Sequence, residues 1–365
     1  MKKIVLLFIY ISFAQLAGMA QSVKYLADGA DLQTEFDAAT AGDTFKLGPG
    51  NYSGNIVLTK QLTIIGPGYL NSSGPSGEAI LSGEFSVNSG SENSLITGLS
   101  LANGVYLACS DIVFKRNTIV STYFYVGRTS ASSTQLAISN LELKENFIRT
   151  TAGLYVYGSP ITNYTFQNNI IQGDMNLSHS LTSSGSFINN TFGIGTISAQ
   201  GDGFNVPSST SGLNLSFINN IFATALSLGS GQIFYSSNYV PAVFKYNVLV
   251  NDISDFDSPR ISPPTSNNSF GNPVTDMFAG FPANAAGLGL DEQYILSPLS
   301  PAKDFGREAP YGDTDPTTDA GAFGGENPYV LSGIPTGPYI YKSSVPPVAA
   351  TNSVVPVTVK AKSNN

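Results

Sequence analysis

"FINNTF" (187–192) and "FINNIF" (217–222) set a large apolar residue, two Asn and another apolar residue in the same order, thirty residues apart. Aligned on the second Asn, four more stretches fall into register: "FKRNTI" (114–119), "LKENFI" (143–148), "FQNNII" (166–171) and "FKYNVL" (244–249). The aligned residues Asn117, Asn146, Asn169, Asn190, Asn220 and Asn247 are 29, 23, 21, 30 and 27 apart. A repeat of that size with a variable period marks a solenoid whose loops differ while its coil does not. The runs between repeats alternate as strands do. In "GLYVYG" (153–158), Leu154 and Val156 fall on one face and Tyr155 and Tyr157 on the other. Short strands joined by tight turns and stacked coil on coil predict an all-β parallel β-helix.

The aligned Asn has a physical role in such a coil. A sharp turn between strands favours a residue that tolerates the left-handed region, which Asn does better than most. Its amide carries donors and an acceptor, so stacked Asn side chains can bond backbone groups that the turn leaves unpaired. The expectation is one Asn per coil that both turns the chain and forms an internal ladder. Glycosylation is the competing explanation for "NNTF", but "LKENFI" and "FKYNVL" lack the sequon.

Composition agrees with a repeat array. Only 12% of the 365 residues are charged and there is no Trp. The net charge of −8, with no basic cluster, argues against a nucleic acid partner or an anionic membrane surface. Lys2, Lys3, the apolar run 4–17 and "GMAQS" read as a secretory leader, residues 1–20. The run is shorter than the roughly 20 residues a bilayer span needs, and no basic cluster follows it. The expectation is therefore a secreted, periplasmic or cell-surface monomer with no membrane span after leader removal. Cys109 is the single cysteine, so no intrachain disulfide forms, and its setting "VYLACSDIVF" reads as a small buried hydrophobe.

The segment "ADLQTEFDAATAGDTFKLGPGNYSGNIVLTKQLTIIGPG" (30–68) resembles the start of the pectin lyase-like right-handed parallel β-helix family. The resemblance implies a capping helix over about 31–40, with Leu32, Phe36 and Ala39 buried and a stop near Gly42. A Pro-Gly-x-Tyr turn and the first full coils then follow. At the other end, "QYILSPLSPAKDFG" (293–306) and "DAGAFGG" (319–325) look like a closing coil and turn of secreted bacterial β-helix proteins. The expected division is a leader (1–20), a β-helix (21–327) and a Pro-rich C-terminal cap and tail (328–365). Pro-rich pieces add no regular ladder strands, so 328–350 is expected to lie extended over the last coil. Residues 354–362 then form a lone strand or a frayed end. This architecture hosts lyases, hydrolases, adhesins and proteins without known activity, so the resemblance implies the fold and leaves the function open.

Lyases of this fold need a Lys or Arg base beside a cation that neutralises a uronate, and related hydrolases need paired carboxylates. Between residues 111 and 250 the acids are Asp111, Glu142, Glu145, Asp174 and Asp202, with no adjacent pair. Lys115, Lys144 and Lys245 each stand two places before a repeat Asn, which reads as a solvated stripe. His179, the single histidine, follows Asp174 by five residues. The pair reads as surface residues, with a catalytic His–Asp couple as the alternative. Asp313, Asp315 and Asp319 have spacing that can hold calcium, although an Asp-rich turn explains them equally; no other cofactor or metal is indicated.

The aromatic residues are the more suggestive feature. With Phe124, Val126, Leu154, Val156, Met175, Leu177, Leu226 and Leu228 facing inward, the two-residue period turns Tyr123, Tyr125, Tyr155 and Tyr157 outward on adjacent coils. Flat rings with hydroxyls suit stacking on sugars, and Arg128, Asp174 and His179 are candidate polar contacts. A tyrosine stack that only stabilises the solenoid is the alternative. Two functions stay open: a non-catalytic protein binding carbohydrate or another cell-envelope component through this flank, and a lyase or glycoside hydrolase acting on an extracellular polysaccharide.

Overall fold

A computed structural model describes residues 21–69, 77–173, 175–177, 183–193, 204–205, 214–223, 234–235, 243–250, 267–280, 288–334, 337–344 and 358–364. Residues 1–20, expected to be a leader, Asp174 and His179 lie outside these residues, as do Leu226 and Leu228. Within them the chain is a parallel β-helix. A 10-stranded parallel sheet runs from Val23–Leu26 to Val243–Lys245 and forms the first face. A second, branched sheet wraps the other two faces. The branches meet where Thr118–Val126 pairs with Ser100–Leu101 through its start and with Val105–Leu107 through its end. Every coil-to-coil pairing is parallel, and strand twist makes such crossovers right-handed.

The interior is filled by the alternate residues of each strand. On the first face Phe45, Ile64, Ile96, Phe114, Leu143, Phe166, Phe187, Phe217 and Phe244 form one inward file. Phe166, Phe187 and Phe217 stack with centroids 5.1 and 4.7 Å apart. Each buried Phe contributes about 1.5–3 kcal/mol relative to exposure. The outward file Lys46, Ile65, Thr97, Lys115, Lys144, Gln167, Ile188, Ile218 and Lys245 is half-buried apart from the buried Thr97, so the lysine stripe is interrupted by apolar residues.

A six-residue helix, α1 (Leu32–Asp37), covers the N-terminal end, with Leu32 and Phe36 buried. Asp31 caps it by accepting from the Thr34 N–H at 3.1 Å. Ala39 is buried but lies beyond the helix, which ends five residues before Gly42. The Gln33 amide accepts from the Val57 N–H at 2.7 Å and donates to the Val57 carbonyl at 3.2 Å. Val57 sits on the strand at the end of its sheet. The helix thus supplies the hydrogen bonds a missing coil would have supplied.

The repeat Asn stack between the first and second faces. Asn146, for example, donates to the Phe114 carbonyl at 2.9 Å and to Asn169 Oδ1 at 3.0 Å, while its own Oδ1 accepts from the Asn117 N–H at 2.9 Å. The same pattern joins Asn117, Asn146, Asn169, Asn190, Asn220 and Asn247, and continues to Asn268. Asn268 escapes the sequence pattern because Thr265 replaces the large apolar residue.

The ladder Asn does not itself turn the chain. The left-handed residue is the one before it: Arg116, Glu145, Asn168, Asn189, Asn219, Tyr246 and Asn267, with φ between 54° and 68°. The two roles separate because a side chain that must point inward to stack needs an ordinary backbone direction, so the bend falls on its neighbour. A second column, Asp111, Asn140 and Asn163, repeats the left-handed turn at another corner, and its exposed side chains bond at 2.7 Å.

The C-terminal region departs from expectation. Residues 319–325 lie against the turn column at Asn168 and Asn189. The chain runs back along the turn column as a strap. Asn219 donates to the Arg307 carbonyl at 2.7 Å, Asn168 donates to the Ala322 and Gly324 carbonyls at 2.8 and 2.7 Å, and Arg116 donates to the Ile334 carbonyl at 3.2 Å. At one end Tyr246 donates to Asp313. At the other, the Tyr69 N–H donates to the Ser332 carbonyl at 2.7 Å. The left-handed residues project their side chains outward, and those side chains give the strap its partners. Thr358–Asn364 is paired antiparallel with Gly337–Ser344.

Candidate functional site

The third face carries the tyrosines. One register of its strands reads Val57, Ser86, Tyr106, Tyr125, Tyr155, Asn176, Asn205 and Tyr235 without a break. Inward neighbours Phe124, Val126, Leu154 and Val156 are fully buried, while Tyr123, Tyr125, Tyr155 and Tyr157 are half-buried, as the two-residue period requires. Tyr106 joins the stack from the preceding coil but is buried, at 2% exposure. Its position in "VYL" carries the same alternation, but its strand is too short for the alternation to stand out in the sequence.

The rings meet face to face. Tyr106 and Tyr125 lie 5.7 Å apart at 1°, and Tyr125 and Tyr155 lie 4.8 Å apart at 15°. Their faces are turned toward one another, contrary to the expectation of open sugar platforms; ring edges are what the half-buried Tyr125 and Tyr155 present outward, and the Tyr155 hydroxyl donates to the Ala152 carbonyl at 2.6 Å. Strand spacing explains this: flat side chains at matched positions about 4.8 Å apart lose least area to water when parallel. Tyr123 and Tyr157 stand outside the column, tilted 51° and 55° to Tyr125. Tyr123 pairs in register with Gly153 and packs over Gly104, so no β-carbon crowds it at either position.

Arg128 lies against Tyr157, its guanidinium 4.5 Å from the ring centroid and 5.9 Å from that of Tyr125. It also donates to the Ala131 carbonyl at 2.8 Å, and its Nε is buried. At the opposite edge the Tyr106 hydroxyl faces Glu84 Oε1 at 3.4 Å. Burial, followed by the Glu84 charge, pushes the Tyr106 phenol up to about 12. Burial also raises Tyr125 and Tyr157, against the opposing pull of Arg128. The phenols are therefore neutral O–H groups at physiological pH.

The other charged candidates are engaged elsewhere. Glu145, 1% exposed, holds Lys115 at 2.7 Å and Arg116 at 2.5 Å. Lys144 pairs with Glu142 at 2.8 Å. Asp313 accepts from Tyr246 and Asn267, Asp315 from the Gly312 N–H, and Asp319 from the Asp304 N–H, each carboxylate serving a separate part of the strap. Among the described residues no three His, Cys, Asp or Glu side chains converge as a metal site would require. Burial pushes the Cys109 thiol up to about 12, which suppresses its thiolate.

Asp291 is 1% exposed and accepts from the Tyr329 hydroxyl at 3.1 Å and the Ser332 N–H at 2.7 Å. Tyr329 meets the Tyr69 hydroxyl at 2.7 Å. Burial raises the Asp291 carboxyl above its ordinary range despite those donors. This cluster locks the strap to the early coils.

No protein-family model and no curated protein matches the chain. Among solved structures it is similar to a crystal structure of pectate lyase Pel9A, at 13% identity and a TM-score of 0.40, over 84% of this chain and 97% of that chain. Among the described residues no helix is long and apolar enough to cross a membrane.

Proposed function

We propose that the protein is a secreted, non-catalytic β-helix protein that binds carbohydrate of the extracellular space or cell envelope along its tyrosine flank. The observation that carries this reading is the clustering of Tyr106, Tyr123, Tyr125, Tyr155 and Tyr157 on three consecutive coils of one face, flanked in register by Ser86 and Asn176. A stack that served stability alone needs the column Tyr106–Tyr125–Tyr155. Tyr123 and Tyr157 extend the aromatic surface sideways beyond it, where they add ring edges, hydroxyls and the less crowded ring of Tyr123. Rows of phenol O–H groups exchange hydrogen bonds with sugar hydroxyls, and ring edges cover the apolar C–H surface of a pyranose.

The enzyme alternative needs a base and carboxylates grouped in the open. Glu145, Lys115 and Arg116 instead form a compact ion cluster at the ladder turn, where Arg116 also holds the strap. Incubating the protein with neutral and acidic polysaccharides tests both readings. Retention without unsaturated products or new reducing ends is expected. Release of either product from any of them would overturn the non-catalytic reading.

A further inference from the structure

From the charge layout of the tyrosine flank we infer that its ligand is a neutral glycan, laid along the solenoid axis so that it meets the half-buried Tyr125 and Tyr155 on successive coils, and not a uronate-rich chain. The inference rests on the carbohydrate-binding reading above and adds the chemical class. Recognition of a polyuronate calls for several cations free to pair with carboxylates, because each acidic sugar brings a charge that must be balanced on binding. The third-face strands Ile56–Leu58, Phe85–Val87, Val105–Leu107, Met175–Leu177, Phe204–Asn205 and Phe234–Tyr235 contain no Lys or Arg. In Thr118–Val126 and Phe147–Val156, Arg149 is the single cation, and it pairs in register with Val120 and Gln172 on the second face.

Arg128 reaches the tyrosines from the following loop but is already committed. Its guanidinium packs on Tyr157 and one terminal nitrogen bonds the Ala131 carbonyl, while Nε is buried without a hydrogen-bond partner, out of reach of a surface carboxylate. At the other end of the strip, Glu84 presents a carboxylate beside the Tyr106 hydroxyl, which repels an anionic chain and accepts from a sugar hydroxyl. The net charge of −8 adds a long-range penalty for polyanions. What the strip offers is the phenols of the half-buried Tyr123, Tyr125 and Tyr157, one carboxylate and ring edges; Tyr106 is buried and donates to Glu84, and the Tyr155 hydroxyl donates to the Ala152 carbonyl at 2.6 Å. Those groups match a polyhydroxylated chain without charge.

Affinity gel electrophoresis of the full chain separates the possibilities, with soluble galactomannan and mixed-linkage β-glucan as neutral probes and polygalacturonate as the acidic one. Retardation by at least one neutral probe, unchanged when salt is raised from low ionic strength to about 0.3 M, is expected, because uncharged contacts are not screened. The Tyr125→Ala, Tyr157→Ala double variant should lose about tenfold in affinity. Tyr123→Ala, which lies outside the stacked column, should also weaken retention while circular dichroism confirms the fold. Retardation by polygalacturonate alone, weakened by salt and still dependent on the tyrosines, overturns the neutral assignment and leaves the binding flank standing. Retention that ignores both tyrosine variants, or no retention by any probe, overturns the flank itself.

Discussion

Two flanks of this solenoid are built by the same device, one residue type stacked coil upon coil, and they end with opposite chemical characters. On the ladder flank, Asn is buried and both its amide groups are consumed by the next coil and by backbone carbonyls. On the third face, Tyr106 is buried while Tyr125 and Tyr155 are half-buried, and stacking consumes ring faces while leaving the edges of those two at the surface. A stack that satisfies all of its groups internally is architecture. A stack with groups left over retains capacity for a ligand.

The largest effect should come from breaking the buried stack. Asn190→Leu leaves the Asn169 N–H and the Phe166 carbonyl without their partners in a closed interior. Each orphaned group costs about 1–3 kcal/mol, so a loss of roughly 3–5 kcal/mol by urea unfolding is expected. The same change at Asn268, which is half-buried at the end of the column, should cost clearly less. Equal losses at the two positions would mean that the ladder does not act through burial.

Next comes the clamp that ties the strap to the early coils. Tyr329→Phe removes the hydroxyl shared by Tyr69 and Asp291 and should cost about 1–3 kcal/mol, read as faster hydrogen exchange at Tyr329 and Ser332. Asp291 gives this clamp a pH dependence. Because burial raises its folded pKa, the stability it contributes is complete below the unfolded carboxylate pKa and declines as pH rises through the folded value. The strap of the parent protein should therefore loosen from acid toward neutral pH relative to Asp291→Asn, which keeps the acceptor oxygen without the charge. Identical pH profiles for parent and variant would remove Asp291 as the cause.

The exposed stack should yield less stability and more function. Tyr125 touches Tyr106, Tyr123, Tyr155 and Tyr157, so Tyr125→Ala should cost about 1–3 kcal/mol together with glycan retention. Tyr123→Ala should cost under about 1 kcal/mol in thermal unfolding while still weakening retention. Smallest of all, Lys144→Ala breaks a surface pair with Glu142 and should change stability by less than about 1 kcal/mol.

Much of this was legible in the residues. The Asn period and the alternation of "GLYVYG" led to the β-helix, the ladder positions and the outward tyrosines, because a two-residue strand period and a repeating corner are local properties. Three matters were not legible. Tyr106 sat in a strand too short to show its period. The orientation of the rings followed from the coil-to-coil register, which depends on loop lengths. The return of the strap joined residues as distant as Arg116 and Ile334, a contact that no local pattern announces.

The doublet in "FINNTF" and "FINNIF" marks the boundary between the two kinds of information. By itself the sequence determined that each coil sets an Asn at its turn between two apolar residues, since hydrogen-bonding capacity and apolarity belong to the residues. Tertiary structure alone decided that the two Asn divide the work. Asn189 and Asn219 take the left-handed turn and reach outward to the strap, while Asn190 and Asn220 stack inward. Identical side chains acquire different roles because one backbone position faces the core and its neighbour faces away, and only the stacked coils and the returning chain supply a partner for each.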